Sequence, residues 1–310
     1  MNDTFKIGHY SDHKHVTGCT VIICPENNVA SCYISGSAPG SREVSLLAPE
    51  RKIMSISAIL LTGGSAFGLG AAEGVMNFLE KKQLGYQTPY GNIPIVPAAV
   101  IYDLNIGNKS VRPTAENAGY ACKNAASSFE DQGSIGAGTG ATVGKWSGIE
   151  NAMKGGLGIA ESRTDSTWIR CVSIVNAVGD ILNQNGEIVA GSYDRIKKKF
   201  NKNNTKPVST NPGFGENTVL CVVLTNARLS KIQAYLLAQR AHHGLIRAVY
   251  PANTSYDGDI LFTVSSNEVE TEFETLAVKS ADTVQKSIIN GVKTAKSLGG
   301  FPCWHDLEPE

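Results

Sequence analysis

The feature that most constrains the fold is an unbroken apolar run at residues 219–224, which begins immediately after Thr218. The run is too short for an ordinary helix, and it contains three valines, whose branched β-carbons favour extended backbone. It therefore predicts a strand that is buried on both faces. Such a strand needs an apolar layer on each side, which a multilayered α/β or α+β body provides.

Other segments of the sequence supply the strands and helices that such a body requires. Apolar or alternating runs predict strands at residues 20–24, 30–35, 56–61, 94–103, 168–177 and 260–265. Amphipathic spacing predicts helices at about residues 69–82, 114–128, 230–243 and 270–298. Thr114 is the expected cap of the second helix, with Asn117 in its first turn. We expect the first two strands to form a hairpin, and Asn183-Gln184-Asn185-Gly186 to turn another.

The charge balance and the cysteine pattern limit the partners of the chain. Lys and Arg together number 28, as do Asp and Glu, which favours a small neutral or zwitterionic partner over nucleic acid or an anionic membrane. No apolar run is long enough to span a membrane, and the first residues lack the pattern of a signal peptide, so we expect a cytoplasmic protein. Seven scattered cysteines without a Cys-x-x-Cys pair predict reduced thiols, no metal site and no cofactor.

Thr218 lies where a polar segment meets the buried strand. Residues 195–215 are rich in lysine, asparagine and proline and are expected to be a flexible linker. A hydroxyl at this junction can attack the carbonyl of Asn217, convert the amide to an ester and let water split the chain. The freed Thr218 would then carry both a nucleophile and a base, because an α-amine titrates near pH ~8. An ordinary strand threonine is the alternative interpretation.

A glycine-rich stretch, Gly136-Ala137-Gly138-Thr139-Gly140-Ala141, partly matches a dinucleotide-binding fingerprint. It lacks the preceding strand and the following helix that the fingerprint requires, and Gly144-Lys145 lacks the remaining residues of a phosphate loop. Two interpretations stay open. The stretch is either a turn that packs against another backbone, or a turn that delivers Lys145 to a site where burial lowers the pKa of its amine.

Another turn, Gly63-Gly64-Ser65, follows a predicted strand and precedes a predicted helix. It resembles the nucleophile elbow of hydrolases, one residue out of register at its last glycine. The helix that it opens would favour a developing anion or a substrate carboxylate at its N-terminus. The pattern predicts that these three residues line a site, and it supports Ser65 as a nucleophile only weakly.

Three further groups of polar residues are candidates for a site. Asn176 interrupts an apolar strand, so its amide must either bond to neighbouring backbone groups or stabilise an oxyanion. Asp257 and Asp259 flank a glycine before a strand, and they form either a simple turn or an acidic pair that orients a catalytic group. His242-His243 could supply a base, but the pair is expected at the C-terminal end of a helix, where it would interact with the helix dipole instead.

Taken together, these motifs resemble the DmpA-type self-processing peptidases, which include β-peptidyl aminopeptidases, L-aminopeptidase/D-esterase enzymes and nylon-oligomer hydrolases. The resemblance covers nearly the whole chain. Its motifs are, in order, Thr17-Gly18-Cys19-Thr20-Val21, Pro39-Gly40-Ser41-Arg42-Glu43, Leu61-Thr62-Gly63-Gly64-Ser65-Ala66-Phe67-Gly68-Leu69, Pro94-Ile95-Val96-Pro97-Ala98-Ala99-Val100, Gly136-Ala137-Gly138-Thr139-Gly140-Ala141, Val175-Asn176-Ala177-Val178-Gly179-Asp180 and Thr254-Ser255-Tyr256-Asp257-Gly258-Asp259.

The resemblance implies a fold and a maturation step. The fold would be a four-layer αββα sandwich of the DmpA and ornithine acetyltransferase type, formed by a single domain at residues 1–310. Cleavage between Asn217 and Thr218 would give an α chain (1–217) and a β chain (218–310). The resemblance also implies that processed αβ pairs assemble into a homo-oligomer.

The resemblance further implies roles for six residues. Thr218 would be the nucleophile, and Asn176 the amide that stabilises the oxyanion. Lys145 and Tyr102 would hold and activate the nucleophile, with the acidic pair Asp257 and Asp259 behind it. An aspartate pair combined with a threonine nucleophile is closer to the nylon-oligomer branch than to the β-aminopeptidases.

Three functions follow as hypotheses. The first is a hydrolase of short peptides or small amides that acts through an acyl-Thr218 ester. The second is an acyltransferase on the same scaffold, in which an amine accepts the acyl group instead of water. The third is an unprocessed binding protein that keeps the pocket without the chemistry. The sequence leaves open whether β-peptides, L-amino-acid amides, D-amino-acid esters or aminohexanoate oligomers are preferred.

Overall fold

The computed structural model describes residues 4–128, 130–201 and 217–307. Within these residues it has four α-helices, and the two largest sheets contain five strands each. The helices are α1 (Ala72–Lys81), α2 (Ala115–Lys123), α3 (Lys231–Ala248) and α4 (Phe273–Lys293). The strands are β1 (Lys6–Asp12), β2 (Thr17–Ile23), β3 (Val29–Ile34), β4 (Ser41–Arg42), β5 (Ala58–Thr62), β6 (Tyr86–Thr88), β7 (Gly91–Ile93), β8 (Ala98–Val100), β9 (Thr142–Val143), β10 (Met153–Lys154), β11 (Gly156–Thr164), β12 (Thr167–Asn176), β13 (Asp180–Leu182), β14 (Ile188–Ala190), β15 (Tyr193–Asp194), β16 (Lys199–Phe200), β17 (Thr218–Ala227), β18 (Val249–Tyr250) and β19 (Ile260–Val269).

The first five-stranded sheet has the order β1-β2-β5-β8-β4. Strands β5 and β8 are parallel neighbours, and the other neighbouring pairs are antiparallel. Because β5 and β8 run in the same direction, they end at the same edge, with Thr62 beside Val100. The turn at residues 63–65 and the segment at residues 101–103 therefore leave this sheet side by side.

The second five-stranded sheet has the order β11-β12-β17-β19-β3 and places β17 in its centre. Strands β17 and β19 are parallel, and the other neighbouring pairs are antiparallel. β17 begins at Thr218, which lies directly opposite Asn176, the last residue of β12. The end of β12 and the starts of β17 and β19 therefore meet at one edge of the sheet.

The helices and sheets form a four-layer αββα sandwich, with three apolar clusters between the layers. One cluster fills the space between the sheets, with Leu61 from the first sheet and Phe262 from the second among its fully buried residues. Helices α3 and α4 cover the outer face of the second sheet, and α1 and α2 cover the outer face of the first. The fold class expected from the sequence is therefore confirmed.

The central strand is buried on both faces, as its composition predicted. The odd-numbered residues of the run 219–224 pack in the cluster beneath α3 and α4, and the even-numbered residues lie between the two sheets. None of the six residues is more than 1% exposed. This burial fixes the register of β17, because a slip by one residue would exchange the two sets of side chains.

The starts of two helices agree with their sequence signals. The side chain of Asn117 accepts hydrogen bonds from the backbone N–H and the hydroxyl of Thr114 (2.9 and 3.0 Å), which caps α2. The hydroxyl of Ser230 accepts from the N–H of Gln233 at 3.3 Å and caps α3. Helices α1, α2 and α4 are shorter than predicted, and a 3₁₀ helix at Ser65–Ala71 precedes α1.

The prediction that His242-His243 ends a helix is wrong. Helix α3 continues to Ala248, so both histidines lie inside it. Gly244 does not end the helix, because it serves the packing of α3 on α4. A Cβ atom at Gly244 would lie 2.0 Å from the backbone oxygen of Ala281. His242 forms a hydrogen bond with the side chain of Asn253 at 3.1 Å, which is a structural contact.

The predicted pairing of the first two strands is also wrong. β2 pairs with β1 and β5 in the first sheet, whereas β3 pairs with β19 in the second. The intervening residues cross between sheets, and the side chain of Asn28 holds the crossing by donating to the backbone oxygens of Pro25 and Ile56. The second predicted hairpin is confirmed in β13 and β14.

Two further predictions change in extent. The strand predicted at residues 94–103 is reduced to β8, since Pro94 and Pro97 lack the N–H groups that ladder pairing requires. Most of the predicted linker at residues 195–215 lies outside the described residues. Its beginning belongs to the short hairpin of β15 and β16.

Candidate active site

Thr218 and Asn217 are both buried, at 5% and 3% exposure, at the edge where β17 begins. The Thr218 hydroxyl donates to the backbone oxygen of Asn217 at 2.6 Å. The backbone N–H of Gly258 donates to the same oxygen at 2.7 Å. The carbonyl between Asn217 and Thr218 is therefore polarised by a backbone donor and lies beside the hydroxyl of the next residue.

Asn176 faces Thr218 across the β12–β17 pair, and every polar atom of its side chain is used. Its Oδ1 atom accepts from the backbone N–H of Thr142 and from the Nζ atom of Lys145, each at 3.0 Å. Its Nδ2 atom donates to the backbone oxygen of Tyr102 at 3.2 Å. These bonds fix the orientation of the amide, with its N–H group toward the first sheet and its oxygen toward Lys145.

Lys145 reaches the site from a 3₁₀ turn (Lys145–Ser147) that follows Gly144. Gly144 has φ 72°, and a Cβ atom there would lie 1.9 Å from the backbone of Gly191, so glycine is required. The Nζ atom of Lys145 also donates to the backbone oxygen of Asn176 at 3.0 Å. Burial lowers the pKa of Lys145 to about 7, an effect that the nearby carboxylate of Asp257 opposes. The end of the glycine-rich stretch therefore packs against other backbone and leads to a buried lysine beside Asn176, whose catalytic role stays a prediction.

Asp257 and Asp259 flank Gly258 immediately before β19. Oδ2 of Asp257 accepts from the N–H and the hydroxyl of Thr254, each at 2.7 Å, and Oδ1 of Asp259 accepts from the N–H of Val219 at 2.7 Å. Burial raises the pKa of both carboxyl groups, and the proximity of Asp257 helps to raise the pKa of Asp259 to about 8. The pair thus resists holding two negative charges near neutral pH.

Tyr102 and the turn at Gly63-Gly64-Ser65 form the first sheet's side of the site. Tyr102 contacts Asn176 through its backbone oxygen. Ser65 adopts φ 54°, a strained conformation for a residue with a side chain, and its N–H donates to the backbone oxygen of Ile101 at 3.0 Å. The two segments therefore lie together, and a role for this turn in lining the substrate pocket remains a prediction.

The N–H of Gly258 belongs to this candidate site, although no sequence motif indicates it. A backbone donor has no residue-type signature, and the Asp-Gly-Asp pattern points to the carboxylates. The glycine itself carried a signal, since a Cβ atom at this position would lie 2.9 Å from Thr218 Oγ1 and 2.6 Å from the backbone oxygen of Ala38. The absence of a side chain lets the donor approach the carbonyl of Asn217.

A cleft of about 760 Å³ lies away from this group of residues. It opens at the opposite end of β12 and β17 and is lined by Trp168, Arg170 and Leu224, among others. Within the described ranges, the side chains of Asn176, Asn217 and Thr218 are buried. Among the described residues there is no group of His, Cys, Asp or Glu side chains that could hold a metal ion, and no helix could span a membrane.

Comparison with known proteins identifies the family. A profile described as peptidase family S58 matches residues 3–303. The chain belongs to this family. An uncharacterised aminopeptidase of Mycobacterium leprae is 32% identical over 94% of this chain and 86% of the relative. A 6-aminohexanoate-oligomer endohydrolase of a Kocuria species is 33% identical over 69% of this chain and 61% of that relative.

A solved structure confirms the fold of this S58 member. The L-aminopeptidase D-Ala-esterase/amidase of Ochrobactrum anthropi, described as a variant of the Ntn hydrolase fold, superposes with a TM-score of 0.72. The alignment covers 96% of this chain and 86% of that protein at 18% identity. The resemblance inferred from the motifs is thus confirmed, and the chain belongs to a family of amide-bond hydrolases.

Proposed function

We propose that this S58 member cleaves itself between Asn217 and Thr218, and that the freed Thr218 then hydrolyses short peptides or small amides. One observation carries the proposal. A threonine hydroxyl and a backbone N–H both bond to the oxygen of the bond that would break, at 2.6 and 2.7 Å. That arrangement supplies a nucleophile and an oxyanion donor at one carbonyl, as acyl transfer requires.

In the maturation step, a turn about the Cα–Cβ bond of Thr218 aims its oxygen at the carbonyl carbon of Asn217. A C–O bond forms, the hydroxyl proton passes to the neutral amine of Lys145, and the negative charge develops on the oxygen beside the Gly258 N–H. The C–N bond then breaks, and the nitrogen of Thr218 takes up a proton to leave an ester. Water adds to the ester carbon and releases the Asn217 carboxylate and a free Thr218.

In turnover, the same hydroxyl attacks the carbonyl carbon of a substrate amide. The α-amine of Thr218 or the amine of Lys145 takes the hydroxyl proton and returns it to the leaving amine, which departs as the acyl-Thr218 ester forms. The second N–H of the Asn176 Nδ2 atom, which does not donate to Tyr102, would stabilise the substrate oxyanion, a contribution of roughly 3–4 kcal/mol for a good donor. Water then hydrolyses the ester and regenerates the enzyme.

We infer the substrate class from the names of the relatives. Two relatives carry the names aminopeptidase and 6-aminohexanoate-oligomer endohydrolase, and we propose short, linear amides of this kind for this chain. A panel of β-peptides, L-amino-acid amides, D-amino-acid esters and aminohexanoate oligomers tests the proposal. Rapid quenching followed by mass spectrometry should find the acyl group on the chain that begins at Thr218. An acyl group on any other peptide would contradict the mechanism.

Acyl transfer to an amine is the second candidate reaction on this site. Both reactions share the acyl-Thr218 ester, and they differ in whether water or an amine attacks it. Product analysis with and without an added amine separates them. Hydrolysis predicts the free acid as the main product in both conditions.

Gly258→Ala is expected to slow self-cleavage by about 100-fold. Its Cβ atom would lie 2.9 Å from Thr218 Oγ1, and displacement of a nucleophile by about 1 Å can reduce a rate by that factor. Time-resolved denaturing gels measure the rate. Gly70→Ala is the matched control, because no heavy atom lies within 4 Å of a Cβ atom at that position. Equal rates for the two variants would remove Gly258 from the site.

Asp259→Asn is expected to make the free energy of unfolding fall less steeply as the pH increases. Folding raises the pKa of Asp259 to about 8, whereas an unfolded aspartate ionises near pH ~4. Between these values the folded state binds more protons, so the free energy of unfolding falls as pH rises, by at most about 1.4 kcal/mol per pH unit. Asparagine cannot ionise, which removes this contribution.

Urea unfolding from pH 5 to 7.5 measures the effect of Asp259→Asn. Both proteins should carry Thr218→Ala, which is expected to keep the chain in one piece and avoids the concentration dependence of a two-chain protein. The difference between the two pH profiles isolates the contribution of Asp259. Parallel profiles would show that the carboxyl group is ionised in the folded state.

A further inference from the structure

The backbone at residues 139–141 lies between two buried groups of opposite charge, Asp103 and Lys154. Asp103 is 3% exposed, and Lys154 is completely buried. A Cβ atom at Gly140 would lie 2.5 Å from the Oδ2 atom of Asp103, so the carboxylate rests directly against this backbone. The steps of catalysis described above use neither Asp103 nor Lys154.

Asp103 connects the backbone at residues 139–141 to the first sheet's side of the site. Its Oδ1 atom accepts from the N–H of Gly64 at 2.7 Å, and its Oδ2 atom accepts from the hydroxyl of Thr17 at 2.7 Å. A Cβ atom at Gly63 would lie 2.0 Å from the same Oδ2 atom. The turn at Gly63-Gly64 is therefore held by the same carboxylate that packs against Gly140.

Lys154 connects this backbone to the second sheet's side of the site. Its Nζ atom donates to the backbone oxygens of Thr139 and Ala141, at 2.9 and 2.5 Å. Lys154 also lies opposite Thr142 in the β9–β10 pair. The N–H of Thr142 in turn donates to the side chain of Asn176, and Lys145 follows three residues later.

We propose that Asp103 and Lys154 clamp the backbone at residues 139–141, and that this clamp positions Thr142 and Lys145 against Asn176 for the reaction at Thr218. Both are positioning residues, because they act on the reacting atoms through other groups. The inference rests on the proposed function, since Lys145 matters only if Thr218 reacts. It adds to that function a second buried lysine, Lys154, whose charge affects the protonation of Lys145.

The electrostatic effect of the clamp has a definite sign. Burial is the main cause that lowers the pKa of Lys145, the charge of Lys154 lowers it further, and the carboxylate of Asp257 raises it. Burial also lowers the pKa of Lys154 to about 7, and Asp103 opposes that decrease. Removing the charge of Lys154 should therefore raise the pKa of Lys145. Self-cleavage that requires the neutral Lys145 amine would then need a higher pH.

The test is the pH dependence of self-cleavage, which requires no substrate. Chains made in a cell-free system are diluted into buffers from pH 5.5 to 9, and the cleaved fraction is followed on gels. Lys154→Met should lower the maximal rate of self-cleavage. It should also raise the half-maximum, the pH on the acidic side at which the rate is half of its maximum, by about half a pH unit or more. Asp103→Asn keeps the shape of the clamp, but it removes the carboxylate that raises the pKa of Lys154. Lys154 then carries less positive charge at a given pH, so the half-maximum should also move upward.

Lys231→Met is the matched control. Lys231 is also buried, and its Nζ atom donates to the backbone oxygens of Leu46, Arg51 and Ile53. It lies at the start of α3, beyond the far end of β17, so its loss should leave the half-maximum at its wild-type pH. A purely structural role of Lys154 would likewise reduce the yield of folded protein without moving the half-maximum.

The outcomes separate the two proposals. An upward shift in Lys154→Met and Asp103→Asn, but not in Lys231→Met, supports the clamp. An unshifted half-maximum in Asp103→Asn overturns it, even if Lys154→Met fails to fold. A wild-type chain that never cleaves at Asn217–Thr218 contradicts the proposed function itself, whereas a cleaving wild type with unshifted variants contradicts only the clamp.

Discussion

Thr218→Ala is expected to give a single full-length chain without amidase activity. Alanine removes the hydroxyl that donates to the Asn217 oxygen, and no other atom of residue 218 can form the ester. Loss of the nucleophile should reduce both the cleavage rate and kcat by at least 10⁴-fold, since covalent catalysis loses its first step. Denaturing gels and an amide-hydrolysis assay measure the two effects.

Two companion variants make the Thr218 result specific. Thr225→Ala removes another buried threonine hydroxyl of β17, one that donates to the backbone oxygen of Trp168 at the far end of the strand. It should cleave and hydrolyse amides normally. Thr218→Ser keeps a hydroxyl and should retain both reactions. Amidase activity in Thr218→Ala would instead direct attention to Ser65, whose strained turn lies on the opposite sheet.

Lys145→Met is expected to slow self-cleavage by about 10²-fold or more. Methionine fills a similar volume but cannot accept the Thr218 proton, and a positioned general base contributes roughly 10²–10⁴-fold. The substitution also removes one of the two donors to the Oδ1 atom of Asn176. Only the N–H of Thr142 would then donate to this oxygen. Time-resolved gels at pH 8 measure the rate.

The comparison for Lys145→Met is again Lys231→Met, which removes a buried amine far from Thr218. Lys231→Met should mature at the wild-type rate, whereas Lys145→Met should accumulate precursor. Maturation of Lys145→Met at wild-type speed would exclude Lys145 as the base. The N–H of Gly258 and the acidic pair would then have to act with another proton acceptor.

Local signals predicted the elements of the fold well. The apolar run of β17 specified burial on two faces because its alternate residues meet two separate apolar layers. Thr114 marked the start of α2 because capping depends on residues within one turn. In each case the residue types that carry the signal lie within a few residues of one another.

Pairing between distant segments was harder to predict. β2 and β3 are close in sequence, yet they belong to different sheets, and β3 pairs with β19 more than 200 residues later. His242 and His243 lie inside α3 because Gly244 allows contact with α4, and one sequence reveals no such contact. The residues Asn176, Lys145, Asp257 and Asp259 meet at one edge, as the family resemblance implied. Gly258 was missed because its contribution is a backbone N–H.

The central claim is that Thr218 becomes a chain terminus in the working enzyme. The most direct measurement is N-terminal sequencing of purified protein that hydrolyses amides. Self-cleavage predicts two sequences in equal amounts, one from the start of the chain and one that begins Thr-Val-Leu-Cys-Val. Active protein that yields only the first sequence would contradict self-cleavage before Thr218.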